Sequence, residues 1–113
     1  MEDLELVCFQ IISNVGNARS EFIEAIQEAK KGEFVRAYEK MDEGEKSFQL
    51  GHEFHAKLIS KEANKQTVQT SLLLIHAEDQ LMSAESFKII ADEFIATYER
   101  MKAMENQRRE EGR

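Results

Sequence analysis

Ser71-Leu72-Leu73-Leu74-Ile75-His76-Ala77-Glu78-Asp79-Gln80-Leu81-Met82 is the stretch on which the reading of this chain turns. With Val68 before it, the stretch holds an apolar stripe: Val68, Leu72, Ile75, position 79, Met82. Steps of four, three, four and three are those of a helix packed along a seam. Position 79 should then hold Leu or Ile, and it holds Asp. A carboxylate in an apolar seam is costly unless it is paired, protonated or bound to a cation. His76 lies three residues before Asp79, and Gln80 lies four after His76, so the three emerge on neighbouring parts of one helix surface. On residue types alone, a histidine on an apolar helix is more often a hydrogen-bonded structural group than a reactive one. A lone seam Asp is often a device that sets register or oligomer state. Glu78 is expected to face solvent.

The 113 residues suit one domain with one core, and the chain has no Pro, no Trp and only five Gly. So few breakers point to an all-α protein. The net charge of −7 argues against nucleic acid, because no Lys/Arg excess exists to displace counterions from phosphates. It argues equally against an anionic membrane surface. A single cysteine, Cys8, forms no intramolecular disulfide and suits a reducing compartment. Neither a signal peptide nor a membrane span is expected, so the expected location is cytoplasmic.

Outward from the central stretch, the same rhythm recurs. Leu4, Cys8, Ile11, Val15, Ala18, Phe22, Ala25 and Ala29 predict a first helix over roughly 3–31, stopped by Lys30-Lys31-Gly32. Gly16, in mid-helix, costs about 1 kcal/mol relative to Ala and is expected to permit close helix approach or a bend. A second helix over roughly 33–60 is marked on its inner side by Phe34, Ala37, Met41, Gly44, Phe48, Gly51, His52, His55 and Ile59. His52 and His55 have a spacing that could share a metal, but no third ligand is evident, and packing or surface roles are favoured. Residues 60–65 read as the connection. The third helix, roughly 66–108, continues its core side through Phe87, Ile90, Phe94, Tyr98 and Met101. Residues 1–105 form the domain, and the charged tail 106–113 is expected to fray.

Three long helices with short connections predict an up-down-up antiparallel bundle. Helices one and three then run parallel, placing two uncharged segments, 6–18 and 66–77, at one end. That much uncharged surface predicts self-association. In a closed trimer three copies of Asp79 would meet near one axis. Three carboxylates need a cation there, and Mg2+ with oxygen ligands is the obvious candidate. On the residues alone, a dimer with protonated or hydrogen-bonded Asp79 side chains stays open.

The chain also resembles a known family. The collinear pieces are Asn14-Val15-Gly16-Asn17-Ala18-Arg19-Ser20, Ala29-Lys30-Lys31-Gly32-Glu33-Phe34, His52 before Lys57-Leu58-Ile59, and Leu74 through Met82. Together they resemble the lactose/cellobiose class of enzyme IIA in the phosphoenolpyruvate-dependent sugar phosphotransferase system, from about residue 6 to 98. The most specific piece is His-Ala-x-Asp-x-Leu-Met at 76–82. The resemblance implies a homotrimer of three-helix subunits. In it His76 takes a phosphoryl group from the phosphocarrier HPr and passes it to a cysteine of the cognate IIB protein, which serves the membrane component IIC. It implies a structural Mg2+ at the trimer axis, with Asp79 contributed by each subunit. The family usually has Gln where this chain has Glu78, and often His where it has Gln80.

The residues suit that chemistry. Imidazole is partly neutral near pH 7, so a ring nitrogen attacks phosphorus without a separate strong base. Phosphoryl transfer asks mainly for in-line positioning and charge stabilisation. Gln80, one turn on, is a candidate to orient the ring or to donate to a phosphoryl oxygen. Two alternatives are weighed against this reading. A histidine phosphotransfer module of two-component signalling would want a basic neighbour, whereas the nearest along the helix are Lys65 and Lys88. The other is a purely structural oligomerisation domain in which Asp79 sets register or binds metal, with no phosphotransfer.

Overall fold

Helix α1 spans Leu4–Lys30, α2 Phe34–Ala63 and α3 Leu72–Glu111 in a computed structural model that describes residues 3–112, with no strand among them. Asp3 opens α1 by accepting a hydrogen bond from the Glu5 amide at 3.1 Å, as short polar residues at helix starts do. Its buried face is Val7, Cys8, Ile11, Val15, Ala18, Phe22, Ala25 and Ala29, with Leu4 partly buried against them. The expected stripe is observed from Cys8 to Ala29, with Val7 buried in addition. Gly32, at φ 84°, supplies the left-handed residue that turns the chain into α2.

Cross-helix contacts fix the topology. Lys40 pairs with Glu24 at 3.1 Å and Glu21 at 3.5 Å, the Asn17 amide donates to Ser47 Oγ at 2.7 Å, and Gly51 faces Val15. As α2 advances, its partners on α1 retreat, so the two are antiparallel. Tyr38 donates to Glu99, Lys88 pairs with Glu45 at 2.6 Å, and His55 meets Glu78 at 3.0 Å. Helix α3 therefore also runs antiparallel to α2 and parallel to α1, which is the predicted up-down-up bundle. No helix of the described residues is long and apolar enough to cross a membrane.

Helix approach is set by small residues at seven-residue intervals. Ala37, Gly44 and Gly51 line the buried face of α2, and Ala77, Ala84 and Ala91 that of α3. A Cβ on Gly44 would lie 2.5 Å from Cε1 of Phe22, and one on Gly51 2.6 Å from Cγ1 of Val15. Gly16 has nothing within 4 Å of its Cβ position. The close approach expected at Gly16 is therefore found at Gly44 and Gly51 instead, and α1 runs unbroken through it.

Five expectations are corrected. The second helix runs on to Ala63, and Lys65, at φ 63°, ends the turn after it. Residues 66–71 are non-helical, because Thr67, Val68 and Thr70 are poor helix formers that favour extended backbone. On α2, His52 and Ile59 are exposed, while Phe54 and Leu58 pack partly against the core. On α3, the buried face is Leu74, Ala77, Leu81, Ala84, Ala91 and Ile95, whereas Leu72, Ile75 and Met82 point outward. Last, residues 106–111 continue α3 as exposed helix rather than fraying.

The glycines yield a contrast in stability. Gly44→Ala and Gly51→Ala should each destabilise by about 1–3 kcal/mol through overpacking, despite alanine's better helix propensity. Gly16→Ala should stabilise by roughly 0.5–1 kcal/mol. Urea unfolding of the three variants, followed by circular dichroism, measures both signs.

Candidate functional site

The start of α3 determines where His76 can lie. Ser71 is extended, and its Oγ accepts a hydrogen bond from the Leu74 amide at 3.1 Å. This cap starts the helix at Leu72 and puts His76 in its second turn. His76 is exposed, and with Leu72 and Leu73, one turn back, it lines an open apolar depression. Leu72 is 83 % exposed, so the histidine is approached across an apolar lip. No side-chain hydrogen bond ties the His76 ring to another group among the described residues. The ring nitrogens are free to reach an incoming partner.

Asp79 is also exposed, flanked by outward-facing Ile75 and Met82. The carboxylate is thus not in the core of the chain, as the seam reading had it. It interrupts a second apolar stripe on the outer face of α3, which resumes with Ile90 and Phe94, 44 % and 45 % exposed. Helix α3 is apolar on two sides. The inner side mixes three alanines with Leu74, Leu81 and Ile95, and the outer side carries Leu72, Ile75 and Met82, which is why periodicity picked the outer stripe as the core. Among the described residues no three His, Cys, Asp or Glu side chains are grouped to hold a metal ion. Asp79 is one oxygen donor per chain.

Gln80 is half-buried on the turn after His76 and makes no hydrogen bond to it among the described residues. Glu78 departs from expectation: it does not simply face solvent. Its Oε2 lies 3.0 Å from Nε2 of His55 on α2, whose side chain is only 18 % exposed. An ionised carboxylate only accepts, so Nε2 carries the proton in this bond. The charge of Glu78 is felt on α1 as well. Burial first, and Glu78 second, hold the Cys8 thiol above the usual thiol range, which keeps that buried sulfur neutral and unreactive. His52 lies against Phe48, with ring centroids 6.1 Å apart.

Of the sequence-predicted residues, the fold leaves His76 and Asp79 both outward and exposed, with Gln80 half-buried one turn after His76. The residue that sequence reasoning missed is His55. Its signal is the α2–α3 register: Glu45 meets Lys88, so ten residues further along α2 and ten back along α3, His55 meets Glu78.

A three-helix bundle with an exposed, unpartnered histidine on an apolar lip is built to meet another macromolecule, not to enclose a small substrate. The family described as "PTS system, Lactose/Cellobiose specific IIA subunit" matches residues 6–99, and the chain belongs to it. It is 37% identical over 100 residues to the lichenan-specific phosphotransferase enzyme IIA component of Bacillus subtilis, covering 88% of this chain and 91% of that protein. It is 35% identical over 102 residues to the N,N'-diacetylchitobiose-specific EIIA component of Escherichia coli, covering 90% and 88%. The crystal structure of the cellobiose-specific enzyme IIA from Bacillus anthracis superposes with a TM-score of 0.86 at 40% identity, over 91% of this chain and 95% of that one. The chitobiose IIA in its solution complex with HPr gives 0.79 at 32% identity, over 90% and 99%.

The exposures order the three histidines. Under limiting diethylpyrocarbonate, His52 and His76 should be modified well before His55, which is half-buried and hydrogen-bonded; peptide mass spectrometry reads the order.

Proposed function

We propose that this chain is a phosphoryl carrier of a sugar phosphotransferase system, with His76 as the phosphorylated residue. A ring nitrogen of neutral His76 attacks the phosphorus of phospho-HPr. The bond to HPr breaks, and the phosphoryl group moves on to a cysteine of the cognate IIB protein, which serves the membrane component IIC. The observation that carries this reading is the exposed His76 beside Leu72 and Leu73, inside the span that matches the IIA family. HPr as donor draws support from the chitobiose relative, whose structure is of a complex with HPr. The cargo is a β-linked disaccharide, in line with relatives named for cellobiose and N,N'-diacetylchitobiose. The relay works in the cytoplasm, where the single Cys8 stays reduced. Gln80 is close enough in sequence to aid a phosphoryl oxygen after a rotamer change.

We further propose that the working form is a homotrimer. The outer stripe of α3, with Leu72, Ile75, Met82, Ile90 and Phe94 exposed, suits burial against copies of itself around a three-fold axis. Each copy would bring one Asp79. Its carboxylate is a hard oxygen donor, the type Mg2+ prefers, so the residue fits the ion that the family suggests. When bound, such an ion would neutralise the three carboxylates and hold the subunits together. It would take no part in phosphoryl transfer. The exposed stripe also favours a second reading, a structural oligomerisation domain without phosphotransfer.

One experiment separates the two. With phosphoenolpyruvate, enzyme I and HPr, intact mass spectra should show one acid-labile phosphoryl group on the wild type and none on His76→Ala. An unmodified wild type, beside a positive control, would leave the structural domain. The trimer is checked apart from this. Native mass should be three times the 13.1 kDa chain mass, and a chelator should lower the unfolding temperature of the wild type but not of Asp79→Leu.

A further inference from the structure

Glu78 poses a problem that the phosphoryl-carrier reading leaves open. It lies two residues after His76, about 3 Å further along the helix axis and about 200° around it. At that spacing it does not hydrogen-bond to His76. Salt at 0.1 M screens charge over about 10 Å, a length comparable with the width of the helix between the two side chains. A phosphoryl group adds about two negative charges at His76, so a loose carboxylate beside it would oppose transfer. Among the described residues, His55 is the sole partner of that carboxylate within ion-pair distance.

We propose that His55 is a positioning residue for the phosphoryl relay: its ring N–H anchors the Glu78 carboxylate against α2 and so holds that charge away from the phosphoryl site on His76. The proposal rests on the reading of His76 as the phosphorylated residue. Geometry supports it in three ways. The bond is 3.0 Å, and its donor side chain is 18 % exposed, so water competes for it from the Glu78 side, 44 % exposed, and little from the His55 side. It joins α2 to α3 beside the reactive turn, whereas the other α2–α3 polar links, Glu45–Lys88 and Tyr38–Glu99, lie well over a turn down the bundle. The field of Glu78 also extends across the bundle, since it helps push the Cys8 thiol up, so where this carboxylate sits matters to its neighbours. The anchor works through an N–H donor and needs no change of protonation.

The test measures the rate of phosphoryl transfer from phospho-HPr to the full chain, with the folding of each variant checked by circular dichroism. His55→Leu should slow transfer by about threefold to tenfold, the range expected for one charge released near a partly exposed site. His55→Gln keeps an N–H donor and should stay near the wild-type rate, as should Glu78→Gln alone. The double variant His55→Leu with Glu78→Gln should recover the rate lost in His55→Leu, because the charge to be anchored is gone. A structural tie alone would give the opposite: the double variant would remain as slow as His55→Leu. That result, or an unchanged rate in His55→Leu, overturns the proposal. If His55→Leu loses its helical signal, His55→Asn, too short to reach Glu78, takes its place with the same outcomes. A wild type that takes no phosphoryl group overturns the carrier reading itself, whereas a phosphorylated wild type without rescue overturns only the role of His55.

Discussion

The bundle depends on how near α2 and α3 can come to α1. Ala37, Gly44 and Gly51 on one helix, and Ala77, Ala84 and Ala91 on another, repeat every seventh residue and face the core. Phe22 and Val15 of α1 occupy the space that side chains at Gly44 and Gly51 would need. Helix α1 thereby becomes the buried spine, with Ile11, Ala18, Phe22 and Ala25 fully enclosed. Close packing of this kind has few alternative arrangements, because a shift of one residue in register would set large side chains against each other. The polar links between helices follow the register that the small residues set; at partly exposed sites they add little stability of their own.

From that rigidity follows the character of the site. Alanines share the inner face of α3 with Leu74, Leu81 and Ile95, and Leu72, Ile75, Met82, Ile90 and Phe94 are left outside. The helix thus has a second apolar surface that the single chain does not use. Asp79 and His76 both belong to that outward side, one inside the outer stripe and the other beside it at the helix start. A side chain held on a capped, packed helix loses little further entropy when a partner arrives. The open depression at Leu72, Leu73 and His76 offers contact rather than enclosure, as befits transfer between proteins. The cap at Ser71 sets where the helix starts, and hence where on the bundle the imidazole emerges.

Much of this was legible from residue order. The buried stripe of α1 from Cys8 to Ala29 follows from spacing, whereas Val7, off that rhythm, does not. The helix count follows from the absence of Pro and the scarcity of Gly. The run His76-Ala77-Glu78-Asp79-Gln80-Leu81-Met82 stands in the sequence itself. The start of α3 was misjudged because Gln66-Thr67-Val68-Gln69-Thr70 contains neither Gly nor Pro. Only β-branching and the capping serine mark it as extended. The two stripes of α3 were confused because an alanine repeat is a weak hydrophobic signal beside Leu72, Ile75 and Met82.

What the sequence determined by itself is therefore whatever depends on period and residue type along one helix: three helices, the face α1 buries, and a histidine and a carboxylate three residues apart. What the tertiary structure decided depends on register between helices. Only the packed bundle sets His55 against Glu78, 23 residues apart in the chain, and only it turns Asp79 outward. Each helix has a period but no knowledge of which turn of its neighbour it will meet. That is fixed when glycine and alanine on one helix find large side chains on the next.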